Sequence, residues 1–139
     1  MSGELAGKTA LVTGGSRGIG RGIAQRLARA GALVAIHYGS KRDAAEATTR
    51  DIEAAGGSAF PIGCDISSPQ QIKAMFGGLD DEFRCRTGAT GLDILVNNAG
   101  VAVIGHLQDY SEADFERQFG TNQKGPFFVT QNALSATAR

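Results

Sequence analysis

Short apolar runs alternate along this chain with longer stretches in which apolar residues recur every three or four positions. Residues 8–13 (KTALVT) are apolar and β-branched, end at glycines, and read as a buried strand. Residues 18–30 place Ile19, Ile23 and Leu27 on one helical face, with Gly31 as the stop. Residues 32–37 (ALVAIH) predict a second strand. Ser40 and Asp43 have the spacing of a capping box, which predicts a helix from there to about residue 55. A third strand follows at residues 58–63. Ser67, Ser68 and Pro69 then open a helix whose apolar face holds Ile72, Met75, Phe76 and Leu79. Residues 92–96 (LDILV) read as a fourth strand, and a pair of helices runs from about Ser111 to the end of the chain. The glycine-rich, charged stretch 77–91 (GGLDDEFRCRTGATG) reads as a helix end followed by a surface loop.

Strand and helix thus alternate four times. Strands that are apolar almost throughout suit a sheet covered on both faces, so the expected fold is α/β, a parallel sheet of about four strands with flanking helices. Neither a repeat nor a linker interrupts it, and 139 residues suit one domain or part of one. Fourteen basic residues balance fourteen acidic ones, which leaves no basic stripe for a nucleic-acid partner. No apolar run approaches the roughly 20 residues that cross a bilayer. The first residues lack the basic-then-apolar order of a secretory signal. Cys64 and Cys85 form no CxxC. A cytoplasmic protein with no membrane partner, no disulfide framework and no metal is therefore expected. His37 and His106 lack a carboxylate at ligand spacing and read as structural or solvent-facing.

The candidate chemistry lies between the first strand and the first helix, in Thr13-Gly14-Gly15-Ser16-Arg17-Gly18-Ile19-Gly20. A turn there aims backbone N–H groups and a helix N-terminus at one spot, which suits a diphosphate. Gly14 allows the tight turn, while Gly18 and Gly20 let a ligand and a neighbouring strand approach closely. The same spacing would also serve a plain helix start beside a tight turn. Together, TGGSRGIG, NNAG at residues 97–100, Cys64-Asp65-Ile66 and TNQKGPFFVTQ at residues 121–131 resemble the short-chain dehydrogenase/reductase family. Within it the chain looks most like the 3-oxoacyl-carrier-protein reductase type. The resemblance implies a Rossmann-like, doubly wound sheet, and it implies roles at matching positions. Ser16, Arg17 and Ile19 would line the diphosphate and adenosine side of a cofactor pocket. Asp65 would bond the adenine amino group, with Ile66 against the ring. Asn97, Ala99 and Gly100 would pass along the adenosine and ribose, and the Asn122 carbonyl would hold a water of the proton relay. Asp65 could instead cap the helix near Ser67, Asn98 could brace neighbouring strands, and Asn122 could be a helix-kink residue only. The stretch between Asp65 and Asn97 is several residues longer than the family pattern.

An acidic residue ending the second strand would accept from a ribose 2′-hydroxyl and select NAD(H). Tyr38 stands there, and Arg17, Ser40, Lys41 and Arg42 lie on the flanking loops, so NADP(H) is expected in preference to NAD(H). Lys41 and Arg42 as a merely solvated helix end is the alternative. The resemblance also implies a tyrosine proton donor, with a lysine four residues on and a serine. Arg42 and Asp114 follow Tyr38 and Tyr110 at that spacing, and Ser135 precedes no fifth strand. Residues 1–139 are thus expected to be the N-terminal part of a single dinucleotide-binding domain without its catalytic half, inactive alone. In full-length form it would transfer hydride between nicotinamide and a carbonyl or secondary alcohol substrate. A catalytically inactive dinucleotide-binding or dimerisation module is the alternative. An apolar fourth strand without its neighbour, and a last helix bearing Phe127, Phe128 and Leu134, predict self-association or a homo-oligomer.

Overall fold

The computed structural model describes residues 3–137. Four parallel strands, β1 (Thr9–Val12), β2 (Leu33–Tyr38), β3 (Ser58–Gly63) and β4 (Ile94–Val96), form one sheet in the order β3-β2-β1-β4. Helices α1 (Gly18–Arg29), α2 (Arg42–Ala54) and α3 (Pro69–Thr87) make the crossovers. A 3₁₀ turn (Leu107–Asp109), α4 (Glu112–Phe119), a π turn (Gly120–Lys124) and α5 (Gly125–Thr137) follow. Residues 138 and 139 of the expected last helix lie outside the described residues.

Period-two alternation sorts the strands' side chains onto two faces. Ala10, Val12, Val34, Ile36 and Ala59 pack under Ala24 and Ala28 of α1 and Ala45 and Ile52 of α2. Leu11, Leu33, Ala35 and Phe60 pack on the other face against Ile72, Met75, Phe76, Leu79 and Phe83 of α3 and Val129, Ala133 and Ala136 of α5. This is the Rossmann-like, doubly wound arrangement expected of the alternating pattern. Its register sets Val12 level with Ile36 on one side and with Val96 on the other. The residues that follow those strands therefore meet at one end of the sheet.

Two local expectations need correction. Ser40 does not cap α2: the helix starts at Arg42, its N-cap is Lys41, and no side chain caps its first N–H groups. The capping box of this fold is instead at α4, where Ser111 and Asp114 exchange bonds with each other's backbone. Residues 77–91 are mostly helix, because α3 runs through Gly77 and Gly78 to Thr87, with Ser68 capping its start, Pro69 in its first turn and Gly88 closing it at φ 78°. Its last turns have a reason to persist: Phe83 is 1% exposed and meets Phe60 edge-to-face at 5.7 Å. Cys85 thus sits on α3 rather than in a loop.

Truncating Phe83 to Ala should cost about 3–5 kcal/mol in chemical denaturation of the intact protein. A loss below about 1 kcal/mol would mean that the end of α3 does not pack on the sheet.

Candidate functional site

The site begins where β1 stops. Gly14 has φ 62°, a left-handed conformation open to glycine, and the chain turns there into α1. Gly20 faces back on this turn, so closely that a Cβ would run into the Gly14 carbonyl and the Asn98 amide. The N-cap of α1 is Arg17, and no side chain caps the first N–H groups of the helix. They face an open cleft of about 560 Å³ at the carboxyl ends of the strands.

Four side chains fix the turn. The Thr13 hydroxyl accepts from the Asn98 and Ala99 N–H groups, both at 3.0 Å. The Asn98 amide donates in return to the carbonyls of Thr13 and Gly14, both at 3.1 Å. Thr48, wholly buried on α2, donates to the Ser16 carbonyl at 2.9 Å. His37, at the end of β2, takes both remaining donors: its Nδ1 accepts from Gly14 N–H at 3.0 Å and its carbonyl from Gly15 N–H at 3.0 Å. Since Nδ1 accepts, the neutral ring carries its proton on Nε2, which donates to the Cys64 carbonyl at 2.8 Å. Burial holds the His37 pKa below the usual histidine value, with the bond to Cys64 opposing that shift. Burial, with the nearby Asp65 charge, raises the Cys64 thiol to about 11, so it stays protonated at neutral pH.

Most of the residues singled out from the sequence share the cleft: Gly14, Ser16, Arg17, Gly18 and Ile19 from the turn, Ser40 and Lys41 before α2, Asp65 and Ile66 after β3, and Ala99 and Gly100 after β4. Others stand outside its lining. Gly20 is buried behind the turn. Tyr38 packs over Gly63. Arg42 pairs with Glu46 one turn along α2. Asn97 donates to the Thr130 hydroxyl at 3.0 Å. The Asn122 side chain clips the backbone of Val101, accepting its N–H at 2.8 Å and donating to its carbonyl at 2.7 Å. Asn122 also lies in the π turn, where the regular helical ladder is interrupted, a common feature of functional positions. Asp65 does not cap α3, whose N-cap is Ser68; one carboxylate oxygen accepts from Ser67 N–H and hydroxyl ahead of the helix, and the other carries no bond among the described residues. Asn98 braces β4 against β1.

Sequence reasoning missed His37, Gly39, Cys64, Arg117 and Thr121 as cleft residues. Two signals were present: Thr13 and His37 are polar residues continuing the period-two positions of Leu11 and of Leu33 and Ala35, at strand ends where burial calls for a partner. Arg117 and Thr121 depend on how α4 folds back, which no local pattern carries. Among the described residues no three His, Cys, Asp or Glu side chains cluster as a metal site requires, and no helix is long and apolar enough to cross a membrane.

A parallel sheet with a glycine-rich turn leading into a helix, and an open cleft at the strands' carboxyl ends, defines a nucleotide-binding class of α/β fold. The chain belongs to the short chain dehydrogenase family, whose pattern matches residues 8–139. It is similar in structure to the landomycin C-6 ketoreductase LanV, solved with bound NADP and rabelomycin. The TM-score is 0.94 and the identity 50%, over 98% of this chain and 56% of that one. Elsinochrome reductase 1 of Elsinoe fawcettii is 42% identical over 94% of this chain and 46% of its own length. Trihydroxynaphthalene reductase of Colletotrichum orbiculare is 40% identical over 95% of this chain and 45% of its own. The chain spans about half the length of the curated relatives it matches.

Replacing Thr13 by Val, which keeps the shape but removes the acceptor, should destabilise the fold by about 1–3 kcal/mol and speed hydrogen exchange at Asn98 and Ala99. Unchanged exchange at those two amides would contradict the assigned bonds.

Proposed function

We propose that this chain is the dinucleotide-binding part of an NADP(H)-dependent ketoreductase acting on a carbonyl or secondary alcohol of a fused-ring aromatic substrate. The observation that carries the cofactor reading is a pair of cations. Arg17 and Lys41 line the cleft from two loops, and neither side chain has an ion-pair or hydrogen-bond partner among the described residues. With Tyr38 rather than a carboxylate ending β2, a 2′-phosphate would meet attraction there and no repulsion. The diphosphate would lie on the uncapped start of α1, with Ser16, Gly18 and Ile19 beside it. Asp65 would offer its free oxygen to the adenine amino group, with Ile66 against the ring, and Asn97, Ala99 and Gly100 would follow the ribose. The Asn122 carbonyl would serve the proton relay. Arg42, held by Glu46, is the weaker phosphate ligand of the basic group.

When bound, the nicotinamide supplies or accepts the hydride, and this chain binds and orients it. The residue that protonates the carbonyl would come from outside residues 1–139, so we infer that these residues alone are inactive. The ring-system reading rests on relatives: LanV was solved with rabelomycin, and another relative is named for a trihydroxynaphthalene. Val101 borders the cleft, and Ile104 and Leu107 beyond it are 95% and 90% exposed, an apolar flank fit for a flat ring.

The intact protein should oxidise NADPH when offered fused-ring aromatic ketones. The Arg17→Ala/Lys41→Ala variant should raise KM for NADPH about 10–100-fold, as loss of one or two charge-assisted bonds would, and shift that for NADH less than about threefold. Absence of turnover with such ketones would overturn the substrate reading; equal losses with both cofactors would overturn the cofactor reading.

We further infer that β4, paired only with β1 among the described residues, and exposed Phe115, Phe119, Phe127 and Leu134 on α4 and α5 are contact surface in the intact protein or between copies. The 139-residue chain alone should therefore sediment above its 14.4 kDa mass, and a clean monomer would count against this.

A further inference from the structure

His37 is 2% exposed, and both its ring nitrogens and its main-chain carbonyl are engaged around the turn. Ring Nδ1 and main-chain carbonyl take the successive N–H groups of Gly14 and Gly15, and Nε2 anchors the ring to Cys64 at the end of β3. One residue therefore ties the β1–α1 turn to β2 and β3 at once. This arrangement exists for one protonation state. A proton on Nδ1 would set two donors, N–H against N–H, at 3.0 Å. No other acceptor for that proton is bonded to the ring.

We propose that His37 is a positioning residue that locks the diphosphate-binding turn while its imidazole is neutral and releases it when protonated, so that dinucleotide affinity weakens in mild acid. The inference rests on the reading of the cleft as a dinucleotide site. The titratable or charged groups facing the same cleft are Arg17 on the turn, Lys41 before α2, Cys64 and Asp65 after β3, and Arg117 on α4. Tyr38 and Arg42 stand next to it on β2 and α2. Three of the cleft residues, Arg17, Lys41 and Arg117, are cations without a side-chain partner among the described residues, so a further positive charge gains nothing there. The direction follows by linkage. Burial of the ring in the locked arrangement lowers the His37 pKa, so a released, better-solvated ring binds the extra proton. The locked state has its full advantage above the ordinary histidine value of 6.5 and loses it progressively as pH falls below. Because the free protein is itself locked at neutral pH, the fall sets in below 6.5, and between pH 7.5 and 5.5 the loss of affinity is at most about tenfold if only the neutral form binds.

The test is a fluorescence titration of the intact protein with NADPH at several pH values, on wild type and on His37→Asn. An asparagine keeps an acceptor near the Nδ1 position for Gly14 N–H and does not titrate. The 2′-phosphate and every other titrating group stay the same in both proteins, so the ratio of their affinities isolates His37. Wild type should lose more affinity than the variant on acidification, by up to about tenfold. In wild type the ¹⁵N resonances of the His37 ring should titrate over the same pH range as the affinity. That second readout decides the matter if the variant does not fold. Parallel acid losses in the two proteins, or a ring that titrates outside the range in which affinity falls, would overturn the role of His37. NADPH binding at no pH would instead overturn the dinucleotide reading, and this proposal with it.

Discussion

The site depends on how the backbone of one turn is satisfied. Residues 13–16 leave β1 and enter α1 with N–H and C=O groups that no sheet ladder or helix can take. Left unpaired beside a buried strand end, each would cost about 1–3 kcal/mol. Thr13 and Asn98 meet that demand from the β4 side, His37 from β2 and Thr48 from α2. The same bonds that settle the turn also hold it rigid. What they leave free are the first N–H groups of α1, which face outward into the cleft. A tight turn with its inner groups occupied and its outer groups open is prepared for an anion before any anion arrives.

The charge of the cleft follows the same logic. Arg21, Arg42 and Arg86 have acidic partners, whereas Arg17 and Lys41 have none among the described residues and flank the turn from two separate loops. Their mutual repulsion is a small cost to the free protein that a bound phosphate would reverse. Family membership and the NADP bound in LanV agree with this pattern. The chain's own contribution is the specific pair of side chains at which a 2′-phosphate could be read.

Much of the fold was legible in the sequence because two periods, two for strands and about 3.6 for helices, were kept cleanly. β3 was read to the residue, and Leu11, Val34 and Phe60 declared their faces. Errors arose where tertiary packing outweighs local signals. Two adjacent glycines at 77 and 78 suggested a helix end, yet burial of Leu79 and Phe83 carries α3 across them. Ser40 offered a cap that the chain does not use, since α2 starts two residues later. In the site, the glycine turn and the basic loops were readable as motifs. His37 was not, since its role needs the register that brings β1, β2 and β3 level. Long-range pairing of a lone polar residue leaves only a faint local trace: a polar side chain at a buried strand position.

The central claim is that the β1–α1 turn and its two unpaired cations together hold a phosphorylated dinucleotide. A crystal structure of the intact protein soaked with NADP⁺ tests it most directly. The account predicts the diphosphate on the first turn of α1 and the 2′-phosphate within hydrogen-bonding reach of Arg17 and Lys41. A dinucleotide bound elsewhere, or bound here with its 2′-phosphate turned to solvent away from both cations, would contradict it.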